Sequence, residues 1–220
     1  MRFLLLSKVI TNYTKKDIDC GLVPPKIYEI CCCIRETFCL SYSIRKNSDL
    51  FLYFVEEKIV IKFIGTHLRY LGPDERSQAI LLLKALKKRN KAISTKKWIN
   101  STPGIYIKQY ENHDSFLLEF FGQYMMNFCY YVSFRKGNVA QNVNLFLDTT
   151  LNNLDQTSGF IFPLYHLYDS NPIFFNTLLD NKTLNLKVIY LTNIHLIQDK
   201  IICVNHYLDC LEENLNKNIK

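Results

Sequence analysis

Three charged residues in succession, Asp74, Glu75 and Arg76, follow the tight-turn pair Gly72-Pro73. A carboxylate there can accept or orient a proton, and a guanidinium can bind a phosphate or a carbonyl oxygen. The plainer reading is that Asp74 caps a helix and Arg76 joins a surface ion pair, and physical grounds alone favour it. Downstream lie Lys84, Lys87, Lys88, Arg89, Lys91, Lys96 and Lys97, seven cations in fourteen residues with no acid among them. Cations are favoured at a helix C-terminus, but so many of one sign point to a surface that contacts phosphate. Arg45 and Lys46 form a second, smaller basic pair.

Metal chemistry is not expected. Five of the eight cysteines (Cys20, Cys31, Cys32, Cys33 and Cys39) fall in one stretch, and three of them are consecutive. No Cys-x-x-Cys pair recurs with a second pair or with histidine at zinc-ligand spacing. Neighbouring cysteines on a helix point in different directions, so these read as small, reduced, apolar side chains of a cytoplasmic protein. His195 and His206 have no carboxylate or cysteine at ligand spacing.

These groups need a scaffold, and the hydrophobic pattern describes one. The apolar run Phe3-Leu4-Leu5-Leu6 reads as a first strand; it lacks the long apolar core and cleavage site of a signal peptide. Pro24-Pro25 opens a helix over about 26–43, with Ile27, Ile30, Cys31, Ile34 and Phe38 at helical spacing. Leu50–Val55 and Ile59–Ile64 are strands joined by the hairpin turn Glu56-Glu57-Lys58. A helix begins after Gly72-Pro73-Asp74 and runs into the cationic stretch. Ser101–Gly104 is a turn into the strand Ile105–Ile107. Asp114–Gln123 is a short helix, and Met125–Phe134 a strand closed by a turn over Arg135–Asn138. Residues 139–158 are polar, rich in Asn and without a clear assignment. Strand 159–162, helix 172–179, strand 186–191 and helix 197–211 complete the chain. Strands alternating with helices predict an α/β fold around a mainly parallel sheet.

The chain has 220 residues, 48% of them hydrophobic, enough for one sizeable core. Few glycines and prolines argue against long linkers, so a single domain over 1–220 is expected. The net charge of +7 favours acidic partners such as nucleic acid. No stretch is long and apolar enough to span a membrane, and the cytoplasm is the expected location.

Several segments in order resemble one family. Ile61-Lys62-Phe63-Ile64-Gly65, then Leu71-Gly72-Pro73-Asp74-Glu75-Arg76-Ser77, then Ser101-Thr102-Pro103-Gly104-Ile105-Tyr106, are similar to the archaeal tRNA pseudouridine N1-methyltransferases of the SPOUT superfamily. Cys31–Ile34 with Phe38, Leu40-Ser41 and Ile44-Arg45 resembles the family's first helix, and Asn205-His206-Tyr207-Leu208-Asp209 its last. The resemblance covers 29–108 most closely, 187–209 less so and 110–186 faintly. It implies a C-terminal trefoil knot, an exception to the usual rule of unknotted chains. It also implies S-adenosylmethionine as methyl donor, pseudouridine 54 in the T loop of tRNA as substrate, and a homodimer packed through the knots. Residues 1–108 would then face the RNA, and about 125–212 would form the cofactor-binding knot region.

Such a reaction needs the ring nitrogen, methyl carbon and sulfur in line, a proton acceptor or stabilisation of the anionic ring, and a grip on RNA phosphates. The resemblance favours Asp74 and Arg76 as the catalytic residues. RNA contacts are expected from Arg45, Lys46, Lys84, Lys87, Lys88 and Arg89. Carried over by position, the donor's three loops fall at Val132, at Phe162-Pro163-Leu164, and at Tyr190, Leu191, Thr192, Asn193 and Ile194. The sequence departs from the family here. Pro163 stands in a glycine's place and offers no amide, Thr192-Asn193 replaces Ser-Pro, Asp199-Lys200 lies in the region where the family's last helix opens with Asn-His-Cys, and Asn47 stands where an acid is usual. Because the donor is held by backbone groups, the pocket can survive such changes. The alternative is a decayed site on a fold that binds RNA or assembles without catalysis.

Overall fold

A computed structural model describes residues 1–122, 129–133, 141–143, 157–179, 186–191 and 193–217. Strand β1 (Arg2–Ser7) leads to the short helix α1 (Lys15–Asp19), whose N-terminus is closed by a reciprocal Thr14–Asp17 capping box. Helix α2 (Pro25–Phe38) starts with proline at its first position. It ends earlier than the periodicity predicts, because Cys39 is extended and bridges back to Ile44. The expected hairpin follows as β2 (Asp49–Phe54) and β3 (Ile59–Ile64), with Lys58 in the left-handed region at its turn.

The expected single helix after Asp74 is two: α3 (Glu75–Leu86) and α4 (Arg89–Thr95). They part at Lys88, whose φ of −87° and ψ of 0° form a turn rather than a helix. Ile99–Thr102 is a strand, β4, not merely the start of a turn, and pairs with β5 (Ile105–Gln109). The remaining elements are α5 (His113–Gly122), β6 (Cys129–Val132), β7 (Gln141–Val143), β8 (Gly159–Pro163), α6 (Leu167–Ser170), α7 (Pro172–Leu179), β9 (Leu186–Leu191) and α8 (Ile197–Lys217). The expected turn at 135–138 lies outside the described residues.

The strands form one sheet in the order β4-β5-β3-β2-β1-β8-β6-β9-β7. Pairing is antiparallel from β4 to β2 and parallel from β2 through β7. Central β1 is buried on both faces, as its unbroken apolar run requires. Phe3 and Leu5 join the core under α2, α3 and α8, whereas Leu4 and Leu6 join the aromatic core under α5, α6 and α7. On that second face Phe120 meets Phe51 edge-on at 4.8 Å and Phe116 stacks on Tyr53 at 4.0 Å. The chain is therefore a three-layer α/β structure. Among the described residues, no helix is long and apolar enough to cross a membrane, and no group of His, Cys, Asp or Glu is arranged to hold a metal ion.

Two predictions follow from this packing. Gly104 has φ of +82°, and a Cβ there would lie 2.6 Å from the Leu68 amide nitrogen. Gly104→Ala should lower stability by more than about 1 kcal/mol; an unchanged denaturation midpoint would contradict this. On the aromatic face the Tyr53 hydroxyl lies 2.7 Å from His113 Nδ1. Burial, then the Lys58 ammonium, push His113 below the ordinary imidazole value of 6.5, with Asp114 opposing. The unfolded chain thus takes up this proton more readily than the folded one. Its stabilising contribution is full above 6.5 and is lost as pH falls from there through the lowered folded value. His113→Phe should flatten the stability–pH slope in that window, and an identical slope in urea titrations would refute the assignment.

Candidate functional site

The sheet separates the candidate residues into two groups, one at each end. By register, the C-terminal ends of β1, β2, β8, β6 and β9 lie together, and the N-terminal end of β3 lies with them. In open α/β sheets, ligands bind in the crevice beyond the C-terminal strand ends. The three expected donor loops leave this edge side by side, from adjacent β8, β6 and β9.

Val132 is fully buried, and the next residue, Ser133, donates its amide to the Ile189 carbonyl at 2.8 Å. Pro163 is buried beside Leu6, and the Leu164 amide donates to the Leu6 carbonyl at 2.8 Å. Tyr190 is half-buried and Leu191 buried. Asn193 is exposed in the left-handed conformation with φ of +65°, and Ile194 packs against the core. Thr192 lies outside the described residues.

One residue at this end was not expected as a functional group. Lys200, in the first turns of α8, is 1% exposed, and its amine donates to the Ser133 carbonyl at 3.3 Å. Burial lowers its pKa below the usual lysine range. In the sequence it appears only as a departure from the family at the start of the last helix. On the β8 side, Lys26 of α2 donates to the Leu164 carbonyl at 3.0 Å.

The basic run reaches the same edge from another direction. Helix α3 runs from the opposite edge toward the loop that follows β1, where Leu83, Leu86 and Lys87 line a cavity with Ile10–Tyr13. Lys84, Lys87 and Lys88 are exposed and Arg89 is half-buried.

Asp74 and Arg76 occupy the other edge. Ile64, the last residue of β3, aligns with Asp49 and Arg2, the first residues of β2 and β1. Here two loops, 39–48 and 65–74, clasp each other. Lys46 Nζ donates to the Leu68 carbonyl at 2.8 Å, and Gly65 donates to Ser48 O and Asp49 Oδ1, both at 3.1 Å. A Cβ on Gly65 would stand 2.3 Å from the Ser48 carbonyl, so the approach requires glycine. Burial raises the Asp49 pKa, against the Gly65 amide that stabilises its charged form.

At that edge Asp74 caps α3, accepting the Ser77 amide at 2.7 Å, and Arg76 pairs with Asp19 at 2.7 Å in a half-exposed contact. Arg45 makes a two-pronged bond to Asp209 of α8 at 2.5 and 2.8 Å. One helical turn earlier, Asn205 donates to the Glu36 carbonyl near the end of α2 at 2.7 Å. Asn205 and Asp209 thus share one face and tie α8 to α2 and the loop after it.

Strands of five or six residues separate the two edges by roughly 17–20 Å. The structure places the proposed donor loops and the basic run at one edge of the sheet, the run over β4 and β5 and the loops beyond β8, β6 and β9, and it places Asp74–Arg76 at the other edge with Arg45–Lys46. Within one chain it does not bring Asp74 to the donor loops.

Parts of the chain are similar to known proteins. The chain is 39% identical over 112 residues to the tRNA (pseudouridine(54)-N(1))-methyltransferase of Methanocaldococcus jannaschii, covering 46% of this chain and 54% of the relative. It is 39% identical over 82 residues to that of Methanosarcina acetivorans, 36% of this chain and 37% of the relative. It is 42% identical over 79 residues to that of Natronomonas pharaonis, 36% and 39%. The chain therefore matches about half, or less, of the length of these curated relatives. A family model described as "Putative SAM-dependent RNA methyltransferase" matches residues 8–128, from the end of β1 through α5 and more than half of the 220 residues, and the chain belongs to that family.

Proposed function

We propose that this chain methylates N1 of pseudouridine at position 54 of tRNA, with S-adenosylmethionine as donor. The match to archaeal relatives named for that reaction carries this reading. The adjacent C-terminal ends of β8, β6 and β9 support it.

The residues present fit a donor held at those strand ends. Val132 and Leu191, fully buried, support those loops from the core, half-buried Tyr190 and Ile194 and the backbone of Pro163 and Asn193 would border the donor, and Lys200 has the charge to meet its carboxylate. When bound there, S-adenosylmethionine supplies an electrophilic methyl carbon on a sulfonium. Lys84, Lys87, Lys88 and Arg89 hold RNA phosphates. Asp74 accepts or orients the proton of the ring nitrogen, and Arg76 binds a base carbonyl or a phosphate. Arg45 and Lys46, engaged with Asp209 and Leu68, shape the loop that meets the RNA.

The separation of the two edges supports a homodimer in which the substrate residues of one chain meet the donor loops of the other. Under this reading, residues 1–108 face the RNA. Residues 125–212 form the donor region, with its chain closed into a trefoil knot, and the protein works in the cytoplasm.

A second reading, an RNA-binding or assembly protein without catalysis, is favoured by one observation. The Ser133 and Leu164 carbonyls in two donor loops are already held by Lys200 and Lys26, and Pro163 has no amide to offer. Calorimetry with S-adenosylmethionine separates the two readings. The methyltransferase binds the donor and adds the mass of one methyl group to a T-arm RNA containing pseudouridine. Absence of donor binding at millimolar concentration leaves only the second reading.

Asp74→Asn tests the substrate side. Asparagine caps a helix about as well as aspartate, so the fold and RNA affinity should persist while turnover falls. An unchanged rate would remove Asp74 from the mechanism.

A further inference from the structure

A groove of about 320 Å³ opens between the loop Ile10–Tyr13 and the junction of α3 with α4. Its wall is held from both ends. The Ile10 amide donates to Glu57 Oε1 at 3.0 Å, and the Tyr13 hydroxyl donates to the Ala79 carbonyl of α3 at 2.7 Å. Just beyond, the Thr14 capping box fixes the start of α1. Such a wall needs little ordering on binding.

The lining divides by chemistry. Leu83 and Leu86 of α3 give an apolar floor. Asn12 and Asn90 are exposed at opposite sides, and neither carboxamide has a hydrogen-bond partner among the described residues. Lys87 and Arg89 line the same groove and have no acidic partner among the described residues. Lys84, Lys88 and Lys91 continue the positive charge beyond it. The nearby acids are engaged elsewhere: Glu57 with Ile10, Asp17 with Thr14, and Asp19 with Lys15 and Arg76.

We propose that this groove holds one unpaired nucleotide of the RNA substrate. Its base would lie on Leu83 and Leu86, the edge would be read by Asn12 and Asn90, and the flanking phosphates would be held by Lys87 and Arg89. A carboxamide offers a donor and an acceptor together, the pattern of a base edge. Cations that continue along α3 and α4 suit a phosphate chain that passes through, rather than a free small anion. The volume lies at the small end of the usual range for ligand sites, roughly 300–1,000 Å³, which suits a single nucleotide unit. The groove opens at the same sheet edge as the proposed donor loops, on the side of that edge where α3 and α4 cover β4 and β5. The choice of RNA rests on the proposed function.

Fluorescence anisotropy on the full chain tests the groove with two RNAs of equal length, a hairpin with an unpaired loop and a blunt duplex. The wild type should prefer the hairpin. Asn12→Ala with Asn90→Ala should weaken hairpin binding roughly tenfold, leaving duplex binding and the salt slope unchanged. Lys87→Ala with Arg89→Ala should weaken both RNAs and reduce the salt slope on the hairpin by roughly 1.4. Hairpin binding unaffected by the Asn changes, or equal loss on both RNAs, overturns the proposal. A second measurement needs no variant. 4-Thiouridine in the hairpin loop should cross-link to residues 10–13 or 83–90 of the wild type, and adducts found only elsewhere overturn it. Calorimetry with S-adenosylmethionine on the same protein distinguishes the two failures. A chain that ignores the donor yet keeps the Asn-dependent preference loses the proposed activity and keeps the groove.

Discussion

Strand β1 must be buried on both faces, and the rest of the structure is arranged around that requirement. Phe3, Leu4, Leu5 and Leu6 are all fully buried. Alternation sends two of them into each core, so neither helical layer can be omitted. The same strand joins the two parts of the sheet, pairing with β2 on one side and β8 on the other. Because both neighbours run parallel to it, their C-terminal ends are gathered at one edge. The parallel pairing of β6 with β8 and β9 continues this order and sets the proposed donor loops side by side.

The opposite edge is set by β3. A hairpin reverses the chain after β2, so the segment leading to Asp74 starts where β1 and β2 begin. Helix α8 spans the distance between the edges. Near its start Lys200 bonds Ser133 beside the proposed donor loops, and further along the helix Asn205 and Asp209 bond Glu36 and Arg45. The Arg45–Asp209 pair is unequally buried, the arginine side chain 12% exposed and the aspartate 42%. Its Coulomb attraction is screened on one side, but the two-pronged geometry fixes the direction of α8. The Asn205 bond, with Asn205 itself 2% exposed, supplies a less screened second anchor. A buried lysine at the other end of the helix costs stability in its charged form. That cost falls beside the proposed donor loops, at a position where the sequence departs from the family.

The α/β class, the β2–β3 hairpin and the apolar face of α2 were legible in the sequence, because each depends on periodicity within a short window. The family resemblance was legible for a similar reason, since Gly72–Ser77 and Ser101–Tyr106 are contiguous. Local periodicity failed where hydrogen-bonded pairing with a neighbouring segment decides the backbone. Helix α2 stops at Cys39 to bridge Ile44, and β4 exists because β5 pairs with it.

Among the candidate residues, the sequence by itself determined the chemical types: a turn carrying carboxylates and an arginine, a run of cations, and three loops in order. Only the tertiary structure decided where they stand. It placed Asp74 and Arg76 a strand length from the proposed donor loops, turned Arg45 toward Asp209, and opened a groove lined by Lys87 and Arg89. The physical reason is that the pairing of distant strands and the direction of each helix across the sheet are set by burial of the whole chain, which no local pattern records.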